Sequence, residues 1–431
     1  MITFIKEFFS KYNIMFGLHK VMTKHKGRVF EKWVFDAHSP LLSSAAIGDI
    51  NNDGEPEVIF GTKEGSIHCV NKESQELWVH KTGDAIAKGD EYFYDLENLH
   101  AISNEPTLAD INNDGKKEIL FGSDDGTLYA LSSSGELLWK YQVGGQIKSK
   151  PLVEDINNDG LPEIIVTSTA QKIVIVSNTG KGIVTYKTES PSQATPGVLR
   201  GKNGKQTIIV FGLDDGSVHA INTNEEHLWV FHTKERITAE PVFVQTTQGT
   251  IILISSWDGT LYALNTQGEQ VWRFRTQGAI YNKAVVGDIN RDGKKEIVFG
   301  SCDNSVYALT LEGEKLWSYQ TDFWVMAHPL LFDLDNDGNT EVIVGSFDNH
   351  LYVLEGSGSY ELDYVPGLSS IVHQAGHYAD VLSSEPGERQ GKSLWRFKTK
   401  GMIVGCSMLD KELIVNIKSG FVDSLGHKKN I

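Results

Sequence analysis

Short runs in which apolar and polar residues alternate make up most of the chain. Examples are "TLYAL" from Thr127 to Leu131 and "ELLWKYQV" ending at Val143, preceded by the β-branched and aromatic run "EILFGS". Gly-bearing turns such as "DDG" and "SSSG" separate these runs. Period-two alternation, β-branched and aromatic residues and frequent turns predict β-strands rather than helices. A further apolar run stands before each acidic loop, so one unit holds four short strands.

The four-strand unit repeats along the chain. A Trp-x-aromatic marker occurs six times and is imperfect in two further units. The eight markers begin at Trp33, Trp78, Trp139, Val184, Trp229, Trp272, Trp317 and Trp395. Their usual spacing is about 45 residues, and a four-stranded repeat of this length is typical of a propeller blade. The sequence therefore predicts an all-β fold, an eight-bladed β-propeller of four-stranded blades.

The two ends of the chain predict how the ring closes. Only three strands follow Trp395, roughly Ile403 to Leu409, Glu412 to Ile417 and Phe421 to Leu425, whereas no strand precedes Trp33. Pairing an N-terminal strand from Val29 to Phe35 with the C-terminal three would complete the eighth blade and remove exposed sheet edges. We expect one propeller domain over 28–425, with insertions at about 83–100 and 355–392 and a tail at 426–431.

Residues 1–27 have a different pattern. Apolar residues at steps of three and four, Ile2, Ile5, Phe9, Tyr12 and Phe16, predict an amphipathic helix. Such a helix would either pack on the propeller or contact a partner or membrane surface. Charges interrupt the apolar stretch and no small-residue cleavage site follows, so we expect no secretory signal and a cytoplasmic location. The calcium sites predicted below leave an extracellular location open.

Composition adds two exclusions. Three Cys residues far apart in sequence form no disulfide framework and suit a reducing compartment. No run of eighteen apolar residues occurs, so no transmembrane segment is expected.

An acidic loop, typified by "DINNDG", follows the first strand in five units. Counting from its first Asp, acidic or amide residues stand at positions 1, 3, 5 and 9, and Gly stands at position 6. The five sets are Asp49, Asn51, Asp53 and Glu57; Asp110, Asn112, Asp114 and Glu118; Asp155, Asn157, Asp159 and Glu163; Asp288, Asn290, Asp292 and Glu296; and Asp333, Asp335, Asp337 and Glu341. The corresponding segments of the fourth, fifth and eighth units lack this pattern.

The spacing of these residues predicts calcium binding. Side chains at positions 1, 3 and 5 of a tight loop converge on one centre, and a carbonyl at 7 with a carboxylate at 9 can complete an oxygen shell. A helix-loop-helix calcium site needs Glu at position 12, where all five loops have Phe or Val. A metal-free Asn-Asp-Gly turn is the competing interpretation, but it does not need acids at 1, 5 and 9 and would raise their pKa values by mutual repulsion.

Charge supports this interpretation. Five calcium ions would change the formal net charge from −16 to −6. An acidic balance of this kind also makes nucleic acid an unsuitable partner.

Two family resemblances follow from these motifs. Asp-x-Asn-x-Asp-Gly-x-x-Glu followed by an apolar strand and "FGS" or "VGS" resembles the FG-GAP calcium repeat of integrin-type propellers. "DGTLYALSSSGELLWKY" resembles the repeat of PQQ-like eight-bladed propellers, which include the outer-membrane assembly lipoprotein. The resemblances cover almost all of Val29 to Leu425. They imply that calcium is structural and that partners dock on the opposite face, formed by the loops between strands 2 and 3 and between blades.

Departures from these families limit what is carried over. Quinoprotein dehydrogenases are exported, longer and commonly have adjacent cysteines, and this chain has neither a recognisable signal nor adjacent cysteines. These departures argue against PQQ as a cofactor.

Aromatic residues single out the opposite face for binding a partner. The candidates are Tyr92, Phe93 and Tyr94 in the first insertion, Trp257 in "SWDG", and Trp324 and His328 in "DFWVMAH". These aromatics either pack between blades or anchor a peptide or sugar. His373 and His377 in "HQAGH" form a possible metal pair, but no acidic partner accompanies them. We find no catalytic constellation.

Three functions remain open from sequence. The preferred one is a non-enzymatic, calcium-stabilised module that binds a protein or carbohydrate partner through the face opposite the calcium loops. The second is a PQQ-dependent oxidoreductase, which stoichiometric quinone binding would reveal. The third is a calcium-assisted polysaccharide lyase or another enzyme on this scaffold, which activity on acidic glycans would reveal.

Overall fold

The computed structural model describes residues 27–83, 100–200, 207–334, 337–358, 392–399, 401–409 and 412–429. Within them, eight four-stranded antiparallel sheets form the blades of a β-propeller. The eight-bladed all-β fold predicted from the repeat is confirmed.

The first four blades follow one another along the chain. Blade 1 consists of β2 (Ala46–Gly48), β3 (Glu57–Gly61), β4 (Ser66–Val70) and β5 (Glu76–Lys81). Blade 2 consists of β6 (Thr107–Ala109), β7 (Glu118–Gly122), β8 (Thr127–Leu131) and β9 (Leu137–Gln142). Blade 3 consists of β10 (Leu152–Glu154), β11 (Glu163–Ser168), β12 (Lys172–Val176) and β13 (Gly182–Lys187). Blade 4 consists of β14 (Gly197–Arg200), β15 (Thr207–Gly212), β16 (Ser217–Asn222) and β17 (His227–His232).

The remaining blades complete the ring. Blade 5 consists of β18 (Val242–Thr246), β19 (Gly249–Ser255), β20 (Thr260–Asn265) and β21 (Gln270–Arg275). Blade 6 consists of β22 (Val285–Gly287), β23 (Glu296–Ser301), β24 (Ser305–Thr310) and β25 (Lys315–Gln320). Blade 7 consists of β26 (Leu330–Phe332), β27 (Glu341–Ser346), β28 (His350–Glu355) and β29 (Lys392–Lys398). Blade 8 consists of β30 (Ile403–Leu409), β31 (Glu412–Ile417), β32 (Phe421–Lys429) and β1 (Gly27–Asp36).

Blade 8 joins the two ends of the chain, as predicted. Strand β1 pairs antiparallel with β32 from Gly27 opposite Lys429 to Asp36 opposite Phe421. The first strands of neighbouring blades contact one another, β2 with both β6 and β30, and therefore surround the central axis. A buried cluster that includes Leu41, Phe60, Ile414 and Val422 joins blade 8 to blade 1.

The hydrophobic core lies between neighbouring blades. All residues of β7 and β8 are buried, whereas the outer strand β9 alternates between exposed and half-buried residues. The Gly of the "FGS" motif allows the close contact between blades, because a Cβ on Gly122 would lie 2.2 Å from Cγ2 of Ile147. Equivalent contacts join Gly61 to Ile102, Gly212 to Ile237, Gly300 to Val325 and Gly345 to Ile403.

The Trp marker of the repeat connects each of several blades to the next one. The indole Nε1 of Trp139 donates a hydrogen bond to the carbonyl oxygen of Asn178, in the turn between the last two strands of blade 3, at 2.9 Å. Gly180, with φ +77°, lies directly against the Trp139 ring, where a Cβ would clash. Equivalent hydrogen bonds run from Trp78 to Ser133, Trp229 to Thr266, Trp272 to Leu311 and Trp317 to Gly356. In blade 3 the marker is Val184, which has no donor.

Several sequence predictions lie outside the described residues. They are the N-terminal helix over 1–27 (apart from Gly27, where β1 begins), the partner-binding residues Tyr92, Phe93 and Tyr94, and the pair His373 and His377. The insertions at about 83–100 and 355–392 are also largely outside, so the domain boundaries remain predictions.

Two further expectations can be compared with the described residues. The described residues contain no helix that is long and apolar enough to cross a membrane. Cys69 and Cys406 are buried, Cys302 is half-buried, and all three are free thiols.

Candidate functional site

The acidic loops connect the first strand to the second in blades 1, 2, 3, 6 and 7, and are numbered here by blade. In loop 2, Asp110 directly follows β6 and Glu118 is the first residue of β7. The same positions recur in the other four loops. Because these turns join the same two strands of each blade, the acidic loops lie at one end of the propeller.

Each loop is held by hydrogen bonds from backbone N–H groups to its carboxylates. In loop 2, the Asp110 Oδ2 atom accepts the Gly115 N–H at 2.8 Å and the Asp114 Oδ1 atom accepts the Lys116 N–H at 2.8 Å. Gly115 and Lys116 are at positions 6 and 7. The hydrogen bond from Gly115 to Asp110 therefore brings the second half of the loop into contact with its first residue.

The Glu at position 9 makes the same contact in all five loops. Its carboxylate accepts the backbone N–H of position 2 at 2.7 to 3.0 Å. The five donors and acceptors are Ile50 to Glu57, Ile111 to Glu118, Ile156 to Glu163, Ile289 to Glu296 and Leu334 to Glu341. All five Glu residues are buried, so each one ties the start of its loop to the second strand.

Backbone conformation explains the Asn and Gly at positions 4 and 6. In loop 2, φ is +63° at Asn113 and +86° at Gly115. Asn and Gly adopt this left-handed region at least cost. No atom lies near the Cβ that a side chain would place on Gly115, so the backbone angle rather than crowding requires Gly.

Neighbouring loops contact each other through position 4. The Asn113 Nδ2 atom lies 3.3 Å from the Gly160 carbonyl oxygen in loop 3. In the same way, Nη2 of Arg291 in loop 6 lies 3.4 Å from the Asp337 carbonyl oxygen in loop 7. The acidic loops are therefore part of the packing between blades.

The carboxylates of a loop differ in their pKa values. Burial raises the pKa of Glu118, and the charges of Asp114 and Asp110 raise it further against the opposing hydrogen bond from Ile111. The pKa values of Glu57, Glu163 and Glu296 are raised in the same way. Desolvation also acts to raise the pKa of Asp110, but the backbone N–H groups of the loop, led by that of Gly115, outweigh it and lower the pKa. Repulsion between the carboxylates contributes to the raised pKa of Glu118, but burial contributes more.

The donor set of each loop suits a hard cation in its chemistry. It offers carboxylates, a backbone carbonyl and, except in loop 7, the amide oxygen of an Asn at position 3, which are the ligands that Ca²⁺ takes in proteins. Within the described residues, no group of three or more His, Cys, Asp or Glu side chains has an arrangement that can hold a metal ion. The oxygens of the loop instead accept N–H groups, so calcium binding requires exchange of some of these hydrogen bonds. Asp335 of loop 7 lies outside the described residues.

Trp257 lies at the opposite end of the blades, in the turn between β19 and β20. It lines a cavity of about 490 Å³ together with Asp258 and residues 275–279. The indole Nε1 donates to Thr238 Oγ1 at 2.8 Å, and the guanidinium carbon of Arg236 lies 4.8 Å from the ring centroid. The Tyr281 ring centroid lies 5.0 Å from that of Trp257, so Trp257 packs against the protein as well as lining the cavity.

Trp324 lies on the same face, in the connection from blade 6 to blade 7. It stacks on Phe323 with ring centroids 5.0 Å apart and an interplanar angle of 16°. The exposed fractions of Phe323 and Trp324 are 41% and 44%. Phe323 precedes Trp324 in the "DFWVMAH" stretch that the sequence singled out, and the two rings together form one exposed aromatic stack.

The backbone below this aromatic pair is well fixed. The Phe347 N–H donates to the Trp324 carbonyl oxygen at 3.0 Å, and the Asp348 carboxylate accepts the Asp322 N–H at 3.0 Å. The next residue, Val325, is buried. The two rings are thus presented by an anchored loop.

His328 lies two residues before β26 and is partly buried. Burial lowers its pKa, and Glu105, Lys283, Lys150 and Glu240 all lie close enough for their charges to act on it. These residues occupy the position equivalent to His328 in blades 2, 6, 3 and 5. They form two ion pairs, Lys150 with Glu105 and Lys283 with Glu240, each at 2.5 Å. The structure therefore places His328 in a ring of charges near the axis rather than beside Trp324 in a common aromatic cluster.

Comparisons with known proteins agree on a β-propeller. A family model described as the lambda-carrageenase beta-propeller domain matches residues 97–153 and 251–363, less than half of the chain. Among curated proteins, none matches significantly.

Solved structures support the same fold. BamB from Moraxella catarrhalis is similar with 15% identity and a TM-score of 0.62, over 93% of this chain and all of BamB. The computationally designed protein Ika8 is similar with 14% identity and a TM-score of 0.62, over 91% of this chain and 98% of the design. BBS1N, solved in complex with ARL6DN, is similar with 8% identity and a TM-score of 0.53, over 95% of this chain and 99% of BBS1N. At these identities the likeness extends to the fold alone.

Proposed function

We propose that this protein is a non-enzymatic, calcium-stabilised β-propeller that binds a protein or carbohydrate partner through the face opposite the acidic loops. The observation that carries the proposal is the different construction of the two faces. One face has five acidic loops, each of which joins the first two strands of its blade, and the other presents the exposed Phe323–Trp324 stack.

The calcium part of the proposal rests on charge and donor chemistry. Each acidic loop places three or more carboxylates in one turn, and the charges of two of them already act on the buried Glu. A bound Ca²⁺ would neutralise this charge. Residues at positions 1, 3, 5 and 9 would hold the ion, and it would supply electrostatic stabilisation of the turn. Because loops of neighbouring blades touch, stabilising one loop also stabilises the interface between blades.

The partner-binding part rests on exposed aromatic area on a fixed loop. Trp and other aromatic residues dominate binding energy when a partner covers them. A fixed loop reduces the entropy lost on binding. Aromatic faces also stack on sugar rings, so the surface suits either a protein or a carbohydrate partner.

The similar proteins are compatible with both kinds of partner. The BBS1N structure contains a protein partner by its description, whereas lambda-carrageenase is named for its activity on a polysaccharide. These relationships support the proposal only as analogy from fold.

The proposal is tested by comparing three immobilised proteins: the wild type, Trp324→Ala and Leu138→Ala. Leu138 is 48% exposed on outer strand β9, away from both faces, and is therefore a matched control. Partners are captured from extracts of the native cell and from a panel of acidic and neutral glycans, and melting temperatures are measured in parallel. We expect a ligand that the wild type and Leu138→Ala bind equally and that Trp324→Ala binds at least about tenfold more weakly, with unchanged melting. Equal binding by all three proteins would contradict the assignment of this face.

A second candidate function is an enzyme acting on a polysaccharide, which the match to the lambda-carrageenase propeller favours. Incubation with lambda-carrageenan and other acidic glycans, followed by assay of new reducing ends, tests it. Cleavage that Trp324→Ala abolishes would favour this candidate over a non-enzymatic module.

A further inference from the structure

Blade 4 contains a pair of histidines on neighbouring strands. His219 on β16 takes the place of a Tyr found at the equivalent position in other blades, such as Tyr129 and Tyr262. His227 is the first residue of β17, which pairs with β16. The Nδ1 atom of His219 lies 3.3 Å from the Nε2 atom of His227, and the two rings meet at 77°.

A chain of hydrogen bonds fixes the tautomer of His219. Its Nε2 atom lies 2.9 Å from Ser217 Oγ, and Ser217 Oγ lies 2.6 Å from Asp215 Oδ1. An ionised carboxylate only accepts, so Ser217 donates to Asp215 and accepts the Nε2–H of His219. The Nδ1 atom of His219 is then unprotonated, and its lone pair faces His227.

This arrangement matches the surroundings of a metal-binding imidazole. Ligating histidines commonly donate their other ring N–H to an oxygen acceptor, which fixes the ring and makes the ligand more basic. Two nitrogens bound to one tetrahedral ion at about 2.0 to 2.1 Å lie roughly 3.3 to 3.4 Å apart. The two histidine nitrogens, which are hydrogen-bonded to each other at 3.3 Å, have the same separation, so an ion would replace that hydrogen bond.

We propose that His219 Nδ1 and His227 Nε2 together bind a divalent transition-metal ion of the class that prefers imidazole, such as Zn²⁺. Within the described residues no third His, Cys, Asp or Glu completes a metal-binding group, so water supplies the remaining ligands. The site is therefore weaker than a structural zinc site with four protein ligands.

The surroundings favour a neutral imidazole and a bound cation. Burial and the neighbouring His227 and His232 lower the pKa of His219, although Asp215 and Glu189 act in the opposite direction. A neutral ring is able to ligate a metal at neutral pH. The two acidic residues also provide negative charge close to the site.

The two histidines have complementary roles. His219 is partly buried and stacks on Phe211, with ring centroids 5.5 Å apart at 7°, so its position is fixed. His227 is exposed on the outer strand and gives an ion access. Blade 1 provides an internal contrast, because the equivalent His68 has Glu76 Oε1 at 2.6 Å in place of a second imidazole.

Zn²⁺ titration of the full chain by isothermal calorimetry tests the proposal, with excess Ca²⁺ present to occupy the acidic loops. The variants are His227→Gln and, as a matched control, His38→Gln, which changes an exposed histidine outside blade 4. We expect His227→Gln to weaken one Zn²⁺ site at least about tenfold and His38→Gln to leave it unchanged. The melting temperature of each variant without Zn²⁺ shows whether the fold is intact.

Two outcomes would overturn the proposal. One is a wild-type protein that binds no Zn²⁺ under these conditions, and the other is a His227→Gln variant, folded as judged by melting, with unchanged affinity. As an independent readout, Cu²⁺ bound by both rings should show nitrogen couplings from two imidazoles in its electron paramagnetic resonance spectrum. Couplings from one imidazole or from none would also refute the bidentate site. The proposal does not depend on calcium binding or on the partner face.

Discussion

Trp139 of blade 2 is joined to Asn178 of blade 3 by a 2.9 Å hydrogen bond from the indole Nε1 to the carbonyl oxygen. The equivalent Trp33, at the closure between blades 8 and 1, has a buried Nε1 without a hydrogen-bond partner among the described residues. A comparison of Trp139 with Trp33 therefore distinguishes the stabilisation due to the indole hydrogen bond from the stabilisation due to packing of the ring.

Trp139→Phe should therefore destabilise the protein more than Trp33→Phe. Both changes remove the same atoms, but only the first one breaks a hydrogen bond and leaves a carbonyl unpaired. We expect a difference of about 1 to 3 kcal/mol in the free energy of unfolding, measured by urea denaturation. Equal losses would mean that ring packing, rather than the hydrogen bond, connects the blades.

Val422→Asp should open the ring at its closure. Val422 lies on β32 and is fully buried against blade 1. The variant therefore places an uncompensated charge in the buried interface between blades 8 and 1. Hydrogen exchange should show lost protection in β1 and β3 before other blades are affected. Leu138→Asp, at an exposed outer-strand position, should leave exchange unchanged. Loss of protection spread evenly over all blades would argue against a distinct closure.

Asp114→Asn should have opposite effects with and without calcium. The Asn side-chain oxygen can still accept the Lys116 N–H that Asp114 Oδ1 accepts at 2.8 Å, while repulsion of Glu118 disappears. In chelator, the melting temperature should stay equal or rise. The stabilisation by calcium should fall by up to about 2.7 kcal/mol, the gain from one site at a hundredfold excess over its Kd. Glu136→Gln removes the same charge elsewhere and should preserve the full calcium effect. An identical calcium effect in Asp114→Asn would exclude loop 2 as a site.

The raised pKa of Glu118 predicts a pH dependence in chelator. The folded protein holds the Glu118 proton more tightly than the unfolded chain, so this residue's contribution to stability falls as pH rises from the reference value of 4.5 through the folded pKa. Glu118→Gln removes the contribution. The stability difference between wild type and variant should decline across that window and then level off. A difference that is constant with pH, measured by urea denaturation, would show that Glu118 is not perturbed.

The sequence predicted the architecture well because its signals are local and repeated. The Trp marker recurs at a usual spacing of about 45 residues, and several copies of it and of the Gly of "FGS" make the same contact with the next blade, as Trp139 does with Asn178 and Gly122 with Ile147. The ring closure was also predictable. The last unit has only three strands, and the N-terminal strand was the one strand left to complete its blade.

The contacts across the ring were not predictable in this way. His328 is close to Glu105 and Lys150 although these residues are far apart in sequence, and only the closed ring brings them together. The histidine pair of blade 4 could not be predicted from the sequence for a different reason. His219 occupies a position filled by Tyr in other blades, and its partner follows a turn, so neither residue forms a recognisable spacing motif.

Equilibrium dialysis against radioactive calcium, with millimolar free calcium and physiological salt, tests the central claim most directly. The account predicts about five bound ions per chain, one for each acidic loop, and one fewer for Asp114→Asn. Binding close to zero in the folded wild-type protein would contradict it.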